Sequence, residues 1–138
     1  MNEQTIALFG SKKTDDWKTP PKVYDKLNEE FHFDFDPCPF QSTFDGLAMD
    51  WGKRCFVNPP YSKVKEFLQK AWVEIEAGHT DIAVFLTFSN TDTQWFHRYI
   101  YNRAEIRFIE GRIAEPATPL ASWNLMRPSM IAILRRRE

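Results

Sequence analysis

The feature that most limits how this chain can fold is a short apolar run, Arg54-Cys55-Phe56-Val57, that stops at Asn58-Pro59-Pro60-Tyr61-Ser62. A β-branched and aromatic run of this kind reads as a buried strand. Two consecutive prolines cannot continue it, because neither has an N–H to give to a ladder. The strand therefore ends in a stiff loop. That loop displays the Asn58 amide, backbone carbonyls that neighbouring N–H groups cannot all consume, and the Tyr61 phenol. Acceptors beside a stacking platform suit a planar ring that bears an amine.

Helical and strand patterns alternate around this run. Trp17-Lys18-Thr19-Pro20-Pro21 precedes Val23, Tyr24, Leu27 and Phe31, which share one helical face. Thr19 is the expected N-cap and Pro20 the first helical residue. His32 to Asp36 alternates polar and apolar residues and meets Pro37, which predicts a short strand. Thr43 to Gly52 has no clear period. Ser62 is the expected N-cap of a helix with Val64, Phe67, Leu68, Ala71, Trp72 and Ile75 on one side, ended by Gly78. Ile82 to Leu86 is continuously apolar, as in a strand buried on both faces. Thr91 or Asp92 then caps a helix through Trp95, Phe96, Tyr99 and Ile100, with Trp72 and Trp95 assigned to the core. Strands at Glu105 to Ile109 and Met130 to Leu134 flank a loop from Gly111 to Pro128.

This order predicts an α/β fold with right-handed crossovers and a mostly parallel sheet. No helix separates the last two strands, so they should close the sheet as an antiparallel hairpin. Residues 1–16 read as a loose arm and 17–138 as a single domain without a separate target-recognition region. In open sheets of this kind ligands bind beyond the carboxyl ends of the strands, where Asp36, Asn58 and Phe88 all fall.

A net charge of −1 supplies no global field for a polyanion, so nucleic-acid contact must come from a local patch. Arg103, Arg107, Arg112, Arg127 and the Arg135-Arg136-Arg137 tail can form one. Cys38 and Cys55, with His32, His79 and His97, show neither Cys-x-x-Cys nor His-x-x-x-His spacing. Neither a disulfide framework nor a metal site is expected from them. No apolar run approaches membrane-spanning length and the N-terminus has no signal-peptide pattern, so a cytoplasmic protein without a membrane partner is expected.

Several segments resemble one family in one order. Asn58-Pro59-Pro60-Tyr61 resembles the catalytic motif of S-adenosylmethionine-dependent amino-methyltransferases. Trp17-Lys18-Thr19-Pro20-Pro21 resembles their N-terminal cofactor motif, and Phe35-Asp36-Pro37-Cys38 their first loop motif. With Thr87 to Phe96 and Ile109 to Ile113, the pattern is similar to phage-type DNA N-6-adenine-methyltransferases from about Trp17 to Leu134. The resemblance implies a reduced Rossmann-like class I methyltransferase fold, a phage or prophage origin, S-adenosylmethionine as cofactor and DNA as partner. It implies direct methylation of adenine N6, with Asn58, Pro59, Pro60 and Tyr61 as catalytic residues.

The same resemblance implies cofactor contacts from Trp17, Thr19, Pro20, Asp36, Pro37, Asp50 and Asn58, and DNA contacts from Tyr61, Phe88, Arg112, Trp123 and Arg127. The chain departs from the broader pattern in one place. Pro37-Cys38-Pro39-Phe40-Gln41-Ser42 replaces the glycine-rich turn, and only about 22 residues lead from Asp36 to Asn58. Other readings are an accessory nucleic-acid-binding protein of the same fold without catalysis, and methylation of RNA or of a protein glutamine. Pro37-Cys38 also matches the nucleophile pair of cytosine C5 methyltransferases, whose further acidic and arginine motifs are not found.

Overall fold

The period-two alternation of the central strands decides the layering. In the computed structural model, which describes residues 18–111 and 127–137, the strands are β1 (Arg54–Val57), β2 (Ile82–Phe88), β3 (Glu105–Phe108) and β4 (Ser129–Arg135). Every residue of β2 is buried, as its unbroken apolar run requires. One face of the sheet presents Phe56, Val84, Leu86, Ile131 and Ile133 to Leu27 and Phe31 of helix α1 (Pro21–Phe31). The other presents Cys55, Val57, Phe85, Met130 and Leu134 to helices α2 (Val64–Glu76) and α3 (Gln94–Tyr99). The sheet is thus covered on both sides.

The sheet order is β1-β2-β4-β3. β1 and β2 pair in parallel, whereas β4 pairs antiparallel with both β2 and β3. The α/β class and the terminal antiparallel pair are as expected, but the sheet is not mostly parallel in its pairings. The reason is where β4 inserts. β1, β2 and β3 all run in one direction, and β4, the one reversed strand of the four, lies between β2 and β3 instead of at the edge. Two of the three pairings are antiparallel as a result.

The strand expected over His32 to Asp36 is reduced to a parallel bridge between Phe35 and Cys55. Asp34 N–H donates to Arg54 O and Phe56 N–H to Phe35 O, but the Arg54 N–H goes to the Asp34 carboxylate at 3.0 Å. A side chain takes the ladder position of a carbonyl, and Pro37 ends the run. Helix starts are also displaced. The N-cap of α1 is Pro20, with Pro21 following it, so Thr19 is released from capping. Tyr61–Lys63 forms a 3-10 turn before α2, and Ser62 does not cap that helix. The α3 cap is Thr93, whose hydroxyl accepts from Phe96 N–H at 3.3 Å.

The aperiodic stretch from Thr43 to Gly52 contains a 3-10 turn, Gly46–Ala48, capped by Asp45. Gly46 is required there, because a Cβ would lie 1.8 Å from the Pro37 carbonyl oxygen. The stretch therefore packs directly on the loop that follows Asp36.

At the opposite end of the strands, Glu74 of α2 is buried and accepts the Trp51 N–H, with His79 Nδ1 3.2 Å from its other oxygen. Asp50, Glu74 and His79 draw their ligand atoms within 4.8 Å, a cluster invisible in linear spacing, and the Lys70 ammonium stands 3.6 Å from Glu74. Desolvation pushes the Glu74 carboxyl up. The Trp51 N–H, His79 and Lys70 together outweigh it and hold the group below its usual range. A carboxyl depressed in the folded state contributes stability that is present above its unfolded value of about 4.3 and is lost as pH falls through the folded value. Glu74→Gln should therefore flatten the acid limb of a stability-versus-pH curve. Glu74→Ala, which orphans the Trp51 N–H, should cost about 1–3 kcal/mol in denaturant unfolding.

Candidate active site

Asn58 follows the last residue of β1, and the prolines behind it hold the ledge in place: Pro59 is buried and Pro60 partly so. The half-buried Asn58 side chain donates from Nδ2 to the Thr19 hydroxyl at 3.0 Å. Its backbone carbonyl accepts from the Cys38 thiol at 3.5 Å. One residue from each of three segments, the start of α1, the loop after Asp36 and the end of β1, therefore meets at the ledge. An amide whose nitrogen is committed to Thr19 carries its oxygen on the other branch, so the Thr19 contact selects which end of Asn58 faces onward.

Tyr61 is 44 % exposed, and its ring lies 5.6 Å from that of Phe88, tilted by 44°. Phe88 closes β2 and is buried, and the Arg127 guanidinium sits 5.1 Å from its ring centre. The two tilted rings form a wedge, and a cation lies over the Phe88 ring. Asn90, which the sequence reading passed over, donates from Nδ2 to the Tyr61 hydroxyl at 3.1 Å. Its one linear signal is its place just past the end of a buried strand on the functional rim.

Asp36 accepts the Cys38 N–H at 2.9 Å and so ties down the loop that stands in for a glycine turn. Pro37 and Cys38 are buried beneath it. Beside them opens a cavity of about 410 Å³ whose lining includes Pro37, Asp45, Leu47, Pro60, Lys63 and Phe67. Asp45 accepts the Leu47 N–H at 3.0 Å with one carboxylate oxygen. Asp50 is not part of this group. It stands by His79 and Glu74 near the far end of α2, about 15 Å along the helix from the ledge. The stretch from Thr43 to Gly52 crosses the molecule, and its Asp45 end is the one that reaches the cavity. Pro20 is fully buried at the head of α1 next to Thr19. Trp17, Arg112 and Trp123 lie outside the described residues, as does the arm over 1–16.

Neither cysteine is placed as a free nucleophile. The Cys38 thiol is buried against the Asn58 carbonyl. Burial pushes the Cys55 thiol up to about 12. Both facts tell against a thiolate mechanism of the cytosine C5 kind.

An α/β chain with an Asn-Pro-Pro-Tyr ledge, a stacking wedge and an adjacent cavity on one sheet rim has the parts of an amino-methyltransferase. Comparison with known families makes the class definite. Residues 9–136 match the family model described as DNA N-6-adenine-methyltransferase (Dam). The chain belongs to that family of adenine-specific DNA methyltransferases. It is similar to a DNA N-6-adenine-methyltransferase of Haemophilus phage HP1 (strain HP1c1), with 32 % identity over 122 residues, covering 75 % of this chain and 68 % of the relative. Among the described residues, no helix is long and apolar enough to cross a membrane.

Proposed function

We propose that this chain transfers a methyl group directly from S-adenosylmethionine to N6 of an adenine in DNA, without a covalent enzyme intermediate: the N–CH3 bond forms as the S–CH3 bond breaks, S-adenosylhomocysteine leaves and one N6 proton is released. The observation that carries the reading is the Thr19–Asn58 hydrogen bond at 3.0 Å, in which the Asn58 nitrogen is the donor, so that the amide oxygen lies on the branch away from Thr19. An exocyclic aromatic amine is a poor nucleophile because its lone pair is delocalised into the ring. Accepting both of its N–H groups pushes the nitrogen toward tetrahedral geometry and localises that pair. The Asn58 side-chain oxygen and the Pro59 carbonyl are the acceptors, Pro60 stiffens the loop that aligns them, and Tyr61 stacks on the ring. Flipping a base out of a duplex costs a few kcal/mol, roughly what stacking of about 1–3 kcal/mol and these hydrogen bonds return.

The residues present fit the cofactor. The 410 Å³ cavity is within the range of about 300–1,000 Å³ typical of ligand pockets, and it combines apolar walls from Leu47 and Phe67 with the Asp45 carboxylate and the Lys63 ammonium. When bound, the cofactor supplies an electrophilic methyl group on a sulfonium. Asp45 is assigned to its hydroxyls or amine, the loop braced by Asp36 to its amino-acid end, and Pro37 and Pro60 to the walls. Asp45 takes the part first given to Asp50. Asp45→Asn should accordingly raise the dissociation constant for S-adenosylmethionine about tenfold, the loss of a charge-assisted hydrogen bond. Asp50→Asn should leave it unchanged in the same calorimetric titration.

Three co-directional strands, two of which carry candidate groups at their carboxyl ends, Asn58 after β1 and Phe88 on β2, support reading the fold as a reduced Rossmann-like class I methyltransferase. DNA is the proposed partner, approaching the wedge of Tyr61 and Phe88, with Arg127 and, outside the described residues, Arg112 and Trp123 as further contacts. The test is transfer of labelled methyl groups from S-adenosylmethionine to DNA, RNA and protein in parallel. Label in DNA alone is expected. Label in RNA or protein but not DNA overturns the reading.

A further inference from the structure

We propose that Asn90 is a positioning residue that latches the Tyr61 ring at the angle needed to stack on the target base, a role that rests on the methyl-transfer reading above. The contact is Asn90 Nδ2 to Tyr61 Oη at 3.1 Å, across 29 residues of chain. What distinguishes it from an incidental surface bond is how firmly Asn90 itself is held. Its backbone carbonyl accepts twice from Thr93, from the hydroxyl at 2.7 Å and from the N–H at 3.3 Å. The same Thr93 hydroxyl caps α3. One residue earlier, Ser89 N–H donates to Pro128 O at 3.0 Å, which anchors the turn to the start of β4 beside Arg127. One residue later, Thr91 O is met by His97 Nε2 at 2.7 Å.

The turn over residues 89–93 is therefore pinned to α3 and to β4, and Asn90 delivers its amide from a fixed base. Tyr61, in contrast, sits on a short 3-10 turn and is 44 % exposed. Phe88 limits its ring from one side at 5.6 Å, but a ring contact alone does not fix the swing of the outer end. The hydroxyl is the far end of that lever. Holding it fixes the swing of the ring's long axis, and Phe88 against the ring limits its turn about that axis, so less side-chain freedom remains to be lost when stacking begins.

The experiment is a double-mutant cycle of Asn90→Ala and Tyr61→Phe, read both in steady-state methylation of DNA and in thermal stability. Each single change should lower kcat about 3- to 10-fold, the value of one such hydrogen bond, and leave KM for S-adenosylmethionine unchanged. The double variant should be no worse than either single one. Asn90→Asp supplies the separating control, because its carboxylate can accept from the Tyr61 hydroxyl. It should keep most of kcat while raising KM for DNA through like-charge repulsion. Effects on kcat that multiply in the double variant overturn the latch. So does coupling seen in stability but not in kcat, which reduces the contact to a structural brace. A wild-type chain that methylates no DNA is a different failure, that of the proposed function, and it removes the latch's role with it.

Discussion

Asn58→Ala is expected to lower kcat by about 10²–10³-fold, the usual cost of removing one preorganised group aimed at developing charge, while S-adenosylmethionine affinity stays within a few-fold. The amide stands at the end of a buried strand and is backed by two prolines, so its removal leaves the ledge in place and deletes the acceptor together with the Thr19 contact. Asn58→Asp keeps an acceptor oxygen, and the Thr19 hydroxyl can donate to it, so this variant should fall between wild type and alanine. Single-turnover methylation with cofactor titrated separately measures both quantities. Equal loss of turnover and of cofactor affinity would show that Asn58 builds the cofactor site and not the acceptor site.

Tyr61→Ala carries the second largest expected effect. Losing a base-stacking ring costs about 1–3 kcal/mol, or about 5- to 150-fold in kcat/KM for DNA. Removal of the 44 % exposed ring also strips the cover from Phe88, which it meets at 5.6 Å. Tyr61→Phe should lose only the roughly 3- to 10-fold expected from one hydrogen bond, since it keeps the stack and loses only the tie to Asn90. A fluorescent adenine analogue at the target position reads the stack directly. Its emission should stay quenched in the wild-type complex and rise with Tyr61→Ala.

Much of this was legible because the signals were local. The Val57-to-Pro59 break marks the end of β1 whatever surrounds it, and the unbroken run from Ile82 marks a strand buried on both faces. Thr19 does not make the capping contact expected of it. Capping chemistry favours threonine before proline, yet Pro20 takes the N-cap position and the Thr19 hydroxyl turns to Asn58 instead. Strand direction followed from the helix–strand alternation, but strand neighbours did not. Nothing local says that β4 slides between β2 and β3.

Non-local packing also separates Asp45 from Asp50. Both lie in an aperiodic stretch, but Asp45, beside the close approach of Gly46 to the Pro37 carbonyl, lines the cavity and Asp50 does not. Asp45-Gly46, a turn-forming pair, is the local signal for this approach. Asn90 escaped notice because its partner is 29 residues away.

The most direct test is nucleoside mass spectrometry of plasmid DNA after incubation with the chain and S-adenosylmethionine, followed by base-resolution mapping. The prediction is N6-methyladenine in the wild-type reaction and its near-complete disappearance with Asn58→Ala. Methylcytosine as the product, or N6-methyladenine undiminished in that variant, would contradict the assignment of the amino-group ledge.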